Sequence, residues 1–143
     1  MKASELRIGN FITIDNEGYY PKLKNIPVKV SAIVPTMNST EWTYYLHLEH
    51  VNQEPNMFAE EYSQLIKWVN PIQLTEELLL KWGFNYSRYN THIVYSMRGF
   101  FDLIYYLDAE IFCFEKLKLN INHVHELQNL YFALKSKELE ITL

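Results

Sequence analysis

Two pairs of histidines are the residues most easily tested for metal-binding chemistry, because ligand spacing is restrictive. His123 and His125 are two positions apart in a segment of helical periodicity, where such residues do not share a face. His47 and His50 lie in an alternating segment, which places them on opposite faces of a strand. Helical metal ligands are typically four positions apart. The sequence therefore predicts no bound metal, and nothing in it indicates a cofactor.

The single cysteine and two carboxylate pairs are the remaining candidates for catalysis. Cys113 lies between Phe112 and Phe114, which predicts a buried thiol, whereas a nucleophilic thiolate needs an electropositive, partly open site. Glycoside-hydrolysing carboxylates face each other across the substrate, but Glu60–Glu61 and Glu76–Glu77 are adjacent in sequence. Neither a glycine-rich phosphate loop nor a nucleophile elbow occurs. The sequence favours a protein that is not an enzyme.

Composition limits the other function classes. The chain has 143 residues, of which 48% are hydrophobic, enough for one compact unit or two small ones sharing a core. Its net charge is −4, and residues 31–80 hold one lysine against seven glutamates. Because phosphate neutralisation needs clustered cations, a generic nucleic-acid binder is not favoured.

The expected compartment is the cytoplasm. One cysteine cannot form an internal disulfide, and residues 1–7 lack the apolar core of a signal peptide. The most apolar region, residues 99–114, is interrupted by acidic residues, so we expect no membrane span.

The elements that must position any site begin with β-strands. Alternating apolar residues predict strands over residues 6–14, 28–34 and 42–49, the second ended by Pro35, and a further strand over 62–69. Short strands separated by turn signals are typical of a small curled sheet. We predict a small β-barrel-like unit over residues 1–70.

Helices and a second group of strands follow. Thr75 has the position of an N-cap and Gly83 that of a C-terminal stop. Alternation over residues 93–95, 101–107 and 111–119 predicts a three-stranded antiparallel meander, and residues 122–134 carry an apolar stripe at helical spacing. Alternation in residues 139–143 suggests a last short strand. The expected fold class is α+β, with residues 71–143 as an α-β-β-β-α unit that shares a core with the first.

Three segments carry a resemblance to a known group of proteins. They are residues 5–10 (ELRIGN), 71–77 (PIQLTEE) and 124–134 (VHELQNLYFAL). Together they resemble a family of small uncharacterised proteins found in Bacteroides-type bacteria and their prophages. The family usually has a Thr-Gly turn after the last helix, where this chain has Lys135 and Ser136. The resemblance implies no catalytic or binding residues.

Aromatic residues suggest the function of the chain, because they exceed what one face per strand can bury. Both faces of the predicted meander carry large apolar side chains, whereas a sheet with one solvated face alternates with polar residues. We therefore predict a non-enzymatic protein-interaction module of a prophage or mobile-element system, whose partner is another protein or a second copy. Its interaction surface would comprise Ile104, Tyr106, Phe112 and Phe114.

The alternative function is that of a nucleic-acid-binding accessory protein, which would use the N-terminal unit. Here basic side chains lie beside two tyrosines that could stack on bases. The residues concerned are Tyr19, Tyr20, Lys22, Lys24 and Lys29.

Overall fold

A computed structural model describes residues 2–15, 24–38, 41–50, 62–98 and 102–143. Within these ranges the chain is an α+β protein with two antiparallel sheets and two α-helices. Its contacts form two compact units, Met1–Ile72 with Val124–Glu138 and Gln73–His123 with Leu139–Leu143. The division at Ile72 lies near the predicted boundary at residue 70. The second helix, which we predicted in the C-terminal unit and against the meander, instead groups with the N-terminal residues.

The first unit contains a five-stranded sheet of order β4-β3-β2-β1-β5. Its core face is fully apolar, and it buries Ile12, Ile14, Val28, Leu46 and Leu48 completely. The strands are β1 (Phe11–Ile14), β2 (Pro27–Asn38), β3 (Glu41–His50), β4 (Tyr62–Leu65) and β5 (Val69–Pro71).

Two predictions for this sheet are wrong at strand ends. The first strand begins at Phe11 rather than near Leu6, because the backbone turns at Gly9 with φ +94°. Ile8, predicted to face the core, is therefore exposed. Pro35 does not end the second strand, which continues to Asn38. Beyond Ser31, β3 is the only described neighbour of β2, and proline is tolerated on such edges.

The predicted strand over residues 62–69 is divided into two. A short 3₁₀ helix, Ile66–Trp68, separates β4 from β5. These two strands are the opposite edges of the sheet, and no ladder joins them within the described residues.

Helix α2 (Val124–Lys135) belongs to the first unit. Val124, Leu127 and Leu130 are buried, as the apolar stripe predicts, whereas Leu134 at the end of the stripe is exposed. The N–H of Val124 donates to the carbonyl oxygen of Ile72 (2.9 Å).

The second unit begins with helix α1 (Glu76–Lys81), whose ends agree with the sequence. The Thr75 side chain accepts a hydrogen bond from the N–H of Leu78 (3.3 Å), and Gly83 follows the helix with φ +83°. The sheet of this unit has the order β10-β9-β8-β7-β6. Its strands are β6 (Asn85–Arg88), β7 (His92–Ser96), β8 (Asp102–Tyr106), β9 (Ile111–Phe114) and β10 (Leu119–Asn120).

The predicted three-stranded meander is thus the centre of a five-stranded sheet. The single strand expected over residues 111–119 is wrong, because a 3₁₀ helix at Glu115–Leu117 and a left-handed Lys118 (φ 51°) reverse the chain. Leu117 is consequently exposed. Residues 139–143 form no strand either, although Leu139 is buried and Nε1 of Trp82 donates to the carbonyl oxygen of Thr142 (2.9 Å).

Membrane-crossing helices can be judged from length and hydropathy. None of the helices in the described ranges is long and apolar enough to span a bilayer.

Candidate functional site

Gln128 connects two of the motif segments inside the first unit. Its side chain is 1% exposed. The backbone N–H of Phe11 donates to its Oε1 (2.9 Å), and its Nε2 donates to the carbonyl oxygen of Gly9 (3.1 Å). Both polar atoms of this buried amide therefore have partners, as a stable interior requires.

Two asparagines extend this network toward the surface. The N–H of Arg7 donates to Oδ1 of Asn10 (2.7 Å), and Nδ2 of Asn10 donates to Oδ1 of Asn129 (3.0 Å). Nδ2 of Asn129 in turn donates to the carbonyl oxygen of Glu5 (2.8 Å). The asparagines therefore fix the turn that precedes β1 against α2.

Arg7 covers the outer end of the same network. Its guanidinium lies 3.7 Å from the centroid of the Phe132 ring and donates to the Glu138 carboxylate (2.7 Å). The polar residues of the ELRIGN and VHELQNLYFAL motifs thus bind one another. Their arrangement gives them a role in specifying the fold rather than in chemistry.

The four residues predicted as an interaction surface do not share a face. In the β8–β9 ladder Tyr105 pairs with Phe112 and Ile104 with Cys113. Phe112 and Phe114 therefore lie with Tyr105 and are buried, whereas Ile104 and Tyr106 lie on the opposite face and are half-buried. The sequence pattern gave the alternation within each strand but not the register between them, which the turn at residues 107–110 sets.

The residues of the nucleic-acid alternative are only partly described. Tyr19, Tyr20 and Lys22 lie outside the described residues, whereas Lys24 and Lys29 are both exposed. Lys29 pairs with Glu49 in the β2–β3 ladder. The adjacent carboxylate repels phosphate and so makes Lys29 a weaker phosphate contact.

The candidate catalytic residues remain separate. His125 is buried in α2, while His123 and His47 are half-buried in other elements. Cys113, predicted to be buried, is half-buried. Glu60 and Glu61, like the His50 side chain, lie outside the described part. Within that part, no three His, Cys, Asp or Glu side chains form a group able to hold a metal ion.

A pocket in the second unit brings together residues that the sequence analysis did not combine. Its volume is about 280 Å³. The wall combines residues at the start of α1 with residues of β7, β8 and β9 and the turn before β9. They include Thr75, Glu76, Tyr95, Tyr105, Glu110 and Phe112.

Tyr95 is the unusual member of this wall. Its side chain is fully buried, and its hydroxyl has no hydrogen-bond partner within the described residues. Burial raises the pKa of Tyr95, and the nearby Glu76 carboxylate raises it further, whereas Arg88 acts in the opposite direction. Leaving a buried hydroxyl unpaired costs about 1–3 kcal/mol, and the Glu76 carboxylate is the neighbouring group able to accept from it.

Three aromatic rings form the apolar side of the pocket. The Tyr95 and Phe112 centroids are 5.7 Å apart at 59°, and those of Tyr105 and Phe112 are 4.7 Å apart at 45°. Tilted packing of this kind holds the rings in fixed positions. Glu76 and Glu110 are exposed at the pocket and form no ion pair with any described residue.

The sequence contained a signal for this site that pattern reasoning missed. Tyr95 alternates with Ile93 on the core face of β7, where a hydroxyl needs a partner that the strand itself does not supply. The approach of α1 to Tyr95 is a tertiary contact, so its spacing from Glu76 in the sequence gave no indication of it.

Comparison with known proteins gives no assignment for this site. The chain matches no protein-family model, no curated protein and no solved structure.

Proposed function

We propose that the protein is a non-enzymatic interaction module that associates with a second copy of itself through a hairpin arm, Val34–Asn38 with Glu41–Tyr45. The observation that supports this is an apolar core face that continues, exposed, onto the arm. Residues 36–38 and 41–43 pair only with each other within the described part of the chain. The arm therefore extends beyond the rest of its sheet.

The core face can be followed residue by residue along β3. Leu48 and Leu46 are fully buried, and Tyr44, two residues further and on the same face, is 40% exposed. Across the ladder Pro35 pairs with Tyr44, so Met37 shares that face and is 63% exposed. An apolar face that leaves its own core is typical of a surface that another molecule covers.

The opposite face of the arm is apolar as well. Val34 pairs with Tyr45, and each is about 40% exposed. A two-stranded ribbon has no core of its own and is only marginally stable in water. Apolar side chains on both of its faces are therefore buried only when another molecule covers them.

A second copy suits the arm better than a charged partner does. The ten residues of the arm include no lysine or arginine, and Glu41 at its tip is the one acidic residue among them. Two-fold contact brings the same patch onto itself, and a patch whose one charge is Glu41 at its tip allows this with little repulsion. The outer edge of β3 at residues 41–44 also has no strand beside it within the described residues, which leaves backbone groups for pairing.

Solution mass tests this proposal. We expect light scattering to give twice the 17.1 kDa of the chain at high protein concentration and a lower mass on dilution. Met37→Lys should shift the protein to monomer, because it places a charge within the buried contact. Leu117→Lys is the matched control, since Leu117 is similarly exposed but lies in the other unit. A mass of 17.1 kDa at every concentration would contradict the proposal.

The curled, barrel-like form of the first sheet is also part of what we propose. It is supported by the three-residue helix Ile66–Trp68, which joins the two edge strands β4 and β5. Because three residues span about 10 Å at most, the connected ends of these edges must be close together.

The biological setting is proposed on sequence grounds. The three resembling segments support a role in a prophage or mobile-element system of Bacteroides-type bacteria, and the single cysteine supports the cytoplasm. Nucleic-acid binding remains the alternative, and a salt-dependent gel shift would detect it.

A further inference from the structure

The pocket beside Tyr95 is independent of the hairpin arm, because all of its wall residues belong to the second unit. Its volume of about 280 Å³ lies just below the 300–1,000 Å³ usual for small-molecule sites. A single side-chain-sized group therefore fits, whereas a nucleotide or a drug-sized ligand does not.

The polar groups at the pocket are mainly acceptors. Glu76 and Glu110 supply carboxylate oxygens, and no described cation pairs with either of them. The Thr75 hydroxyl is already engaged as the cap of α1. The Tyr95 hydroxyl is sealed from solvent, so a ligand in the pocket does not reach it. Such a site requires a ligand with several donors and a positive charge.

The aromatic wall adds a preference among cations. Tyr105 is the half-buried member of the three packed rings, whereas Tyr95 and Phe112 are buried. A cation in the pocket therefore meets the Tyr105 ring, and ring faces attract cations. A guanidinium is planar, stacks on aromatic faces and carries five N–H donors in a fixed geometry. An ammonium is compact and more strongly hydrated, so it gains less from this wall.

We propose that the pocket binds a guanidinium group on a short alkyl chain, with Glu76 and Glu110 as counter-charges and the Tyr105 ring as the stacking surface. The same chemistry is present in a free alkylguanidine and in an arginine side chain of another polypeptide. Both sources fit the pocket, and the experiment separates them.

The direct experiment titrates the full-length protein with n-butylguanidinium and follows the amide chemical shifts. We expect saturable shifts at residues 73–76, 95 and 110–112, with a dissociation constant on the order of 1 mM, as a fragment of this size allows. n-Butylurea is nearly isosteric and uncharged, so it should bind much more weakly. n-Butylammonium should be intermediate.

Three substitutions locate the interaction. Glu76→Gln and Glu110→Gln should each weaken binding by about two- to fivefold, the range for partly exposed charge pairs. Glu77→Gln removes the same charge from the next residue of α1, which is exposed but not in the wall, and should leave binding unchanged.

A peptide ligand distinguishes the two sources of the guanidinium group. Tighter binding of acetyl-Gly-Arg-Gly-amide than of n-butylguanidinium assigns the pocket to an arginine side chain, and the reverse order assigns it to a free alkylguanidine. No saturable shift with either probe overturns the proposal. Equal binding of n-butylurea, or equal effects of Glu76→Gln and Glu77→Gln, also overturns it.

Discussion

The first unit buries the Gln128 amide with both polar atoms hydrogen-bonded, whereas the second unit buries the Tyr95 hydroxyl without a partner among the described residues. Both side chains are almost completely inaccessible to solvent. A satisfied buried amide selects one arrangement of the elements around it, because every alternative leaves a polar atom unpaired. An unsatisfied hydroxyl does not select an arrangement in this way.

The two sites also draw on different segments of the sequence. Polar residues of the ELRIGN and VHELQNLYFAL segments bind one another inside the first unit. Half of the eight residues that line the pocket lie in the third segment, PIQLTEE, and they are Gln73, Leu74, Thr75 and Glu76. The other half come from β7, β8, β9 and the turn before β9.

Removing the Gln128 amide from its hydrogen-bond network should have the largest effect on stability. Gln128→Leu leaves the Phe11 N–H and the Gly9 carbonyl buried without partners, at about 1–3 kcal/mol each. We expect the free energy of unfolding in urea to fall by about 2–5 kcal/mol. Ala133→Leu introduces the same side chain at an exposed position of α2 and should change it by less than about 0.5 kcal/mol. Equal effects of the two variants would contradict a role for the network.

Gly9 in the first unit and Gly83 in the second test whether the two units differ in backbone strain. Gly9 has φ +94° and Gly83 has φ +83°, and an added Cβ would meet no atom closer than 3.6 Å at either. Only the left-handed backbone then opposes a side chain, at about 1–2 kcal/mol. Gly9→Ala and Gly83→Ala should therefore lower stability by similar amounts in urea unfolding. A much larger loss at one position would reveal a packing constraint there.

Tyr95→Phe should have the opposite sign to Gln128→Leu. Removing a buried hydroxyl without a partner relieves its desolvation, so the free energy of unfolding should stay constant or rise by up to about 1 kcal/mol. A fully bonded hydroxyl would instead cost about 1 kcal/mol when removed. A clear loss of stability in calorimetry would show that Tyr95 has a structural partner.

Protein stability at alkaline pH provides a second test of the buried Tyr95 hydroxyl. The folded protein raises the pKa of Tyr95 above its usual value of 10.0, first through burial and then through Glu76. The neutral phenol is therefore favoured in the folded state. Its contribution to the free energy of unfolding is complete below pH 10 and is lost as the pH rises above 10. We expect Tyr95→Phe to lose less stability than the wild type between about pH 9 and pH 11.

Tyr106→Phe is the control for this measurement. Its hydroxyl donates to Glu115 (2.8 Å), which raises the pKa of Tyr106 too, but this hydrogen bond is exposed to solvent although the residue is half-buried. Its contribution is screened by solvent, so the change in pH dependence should be smaller than for Tyr95→Phe. The reverse order would contradict burial as the main cause.

The smallest effect should come from the edge of the satisfied network. Arg7 and Glu138 form a 2.7 Å ion pair, but their side chains are 29% and 49% exposed. Such pairs contribute about 0–1 kcal/mol. Glu138→Gln should lower the free energy of unfolding by less than about 0.5 kcal/mol, and a loss above 2 kcal/mol would mean that the pair is part of the buried network.

Local sequence patterns determined the elements whose signals lie within a few residues. The Thr75 cap, the Gly83 stop and the buried positions Leu127 and Leu130 follow from helical spacing and terminal chemistry alone. The strand β3 is confirmed for the same reason, and Leu46 and Leu48 on its inward face are buried. These features depend on backbone geometry that neighbouring residues impose.

Tertiary structure decided which elements meet and in what register. It paired Tyr105 with Phe112, so that the expected interaction surface was divided between two faces of its sheet. It also placed α2 with the N-terminal strands through Gln128 and brought Glu76 close to Tyr95. The residues that make each of these contacts are separated by turns or by long stretches of chain, and no local period carries information across them.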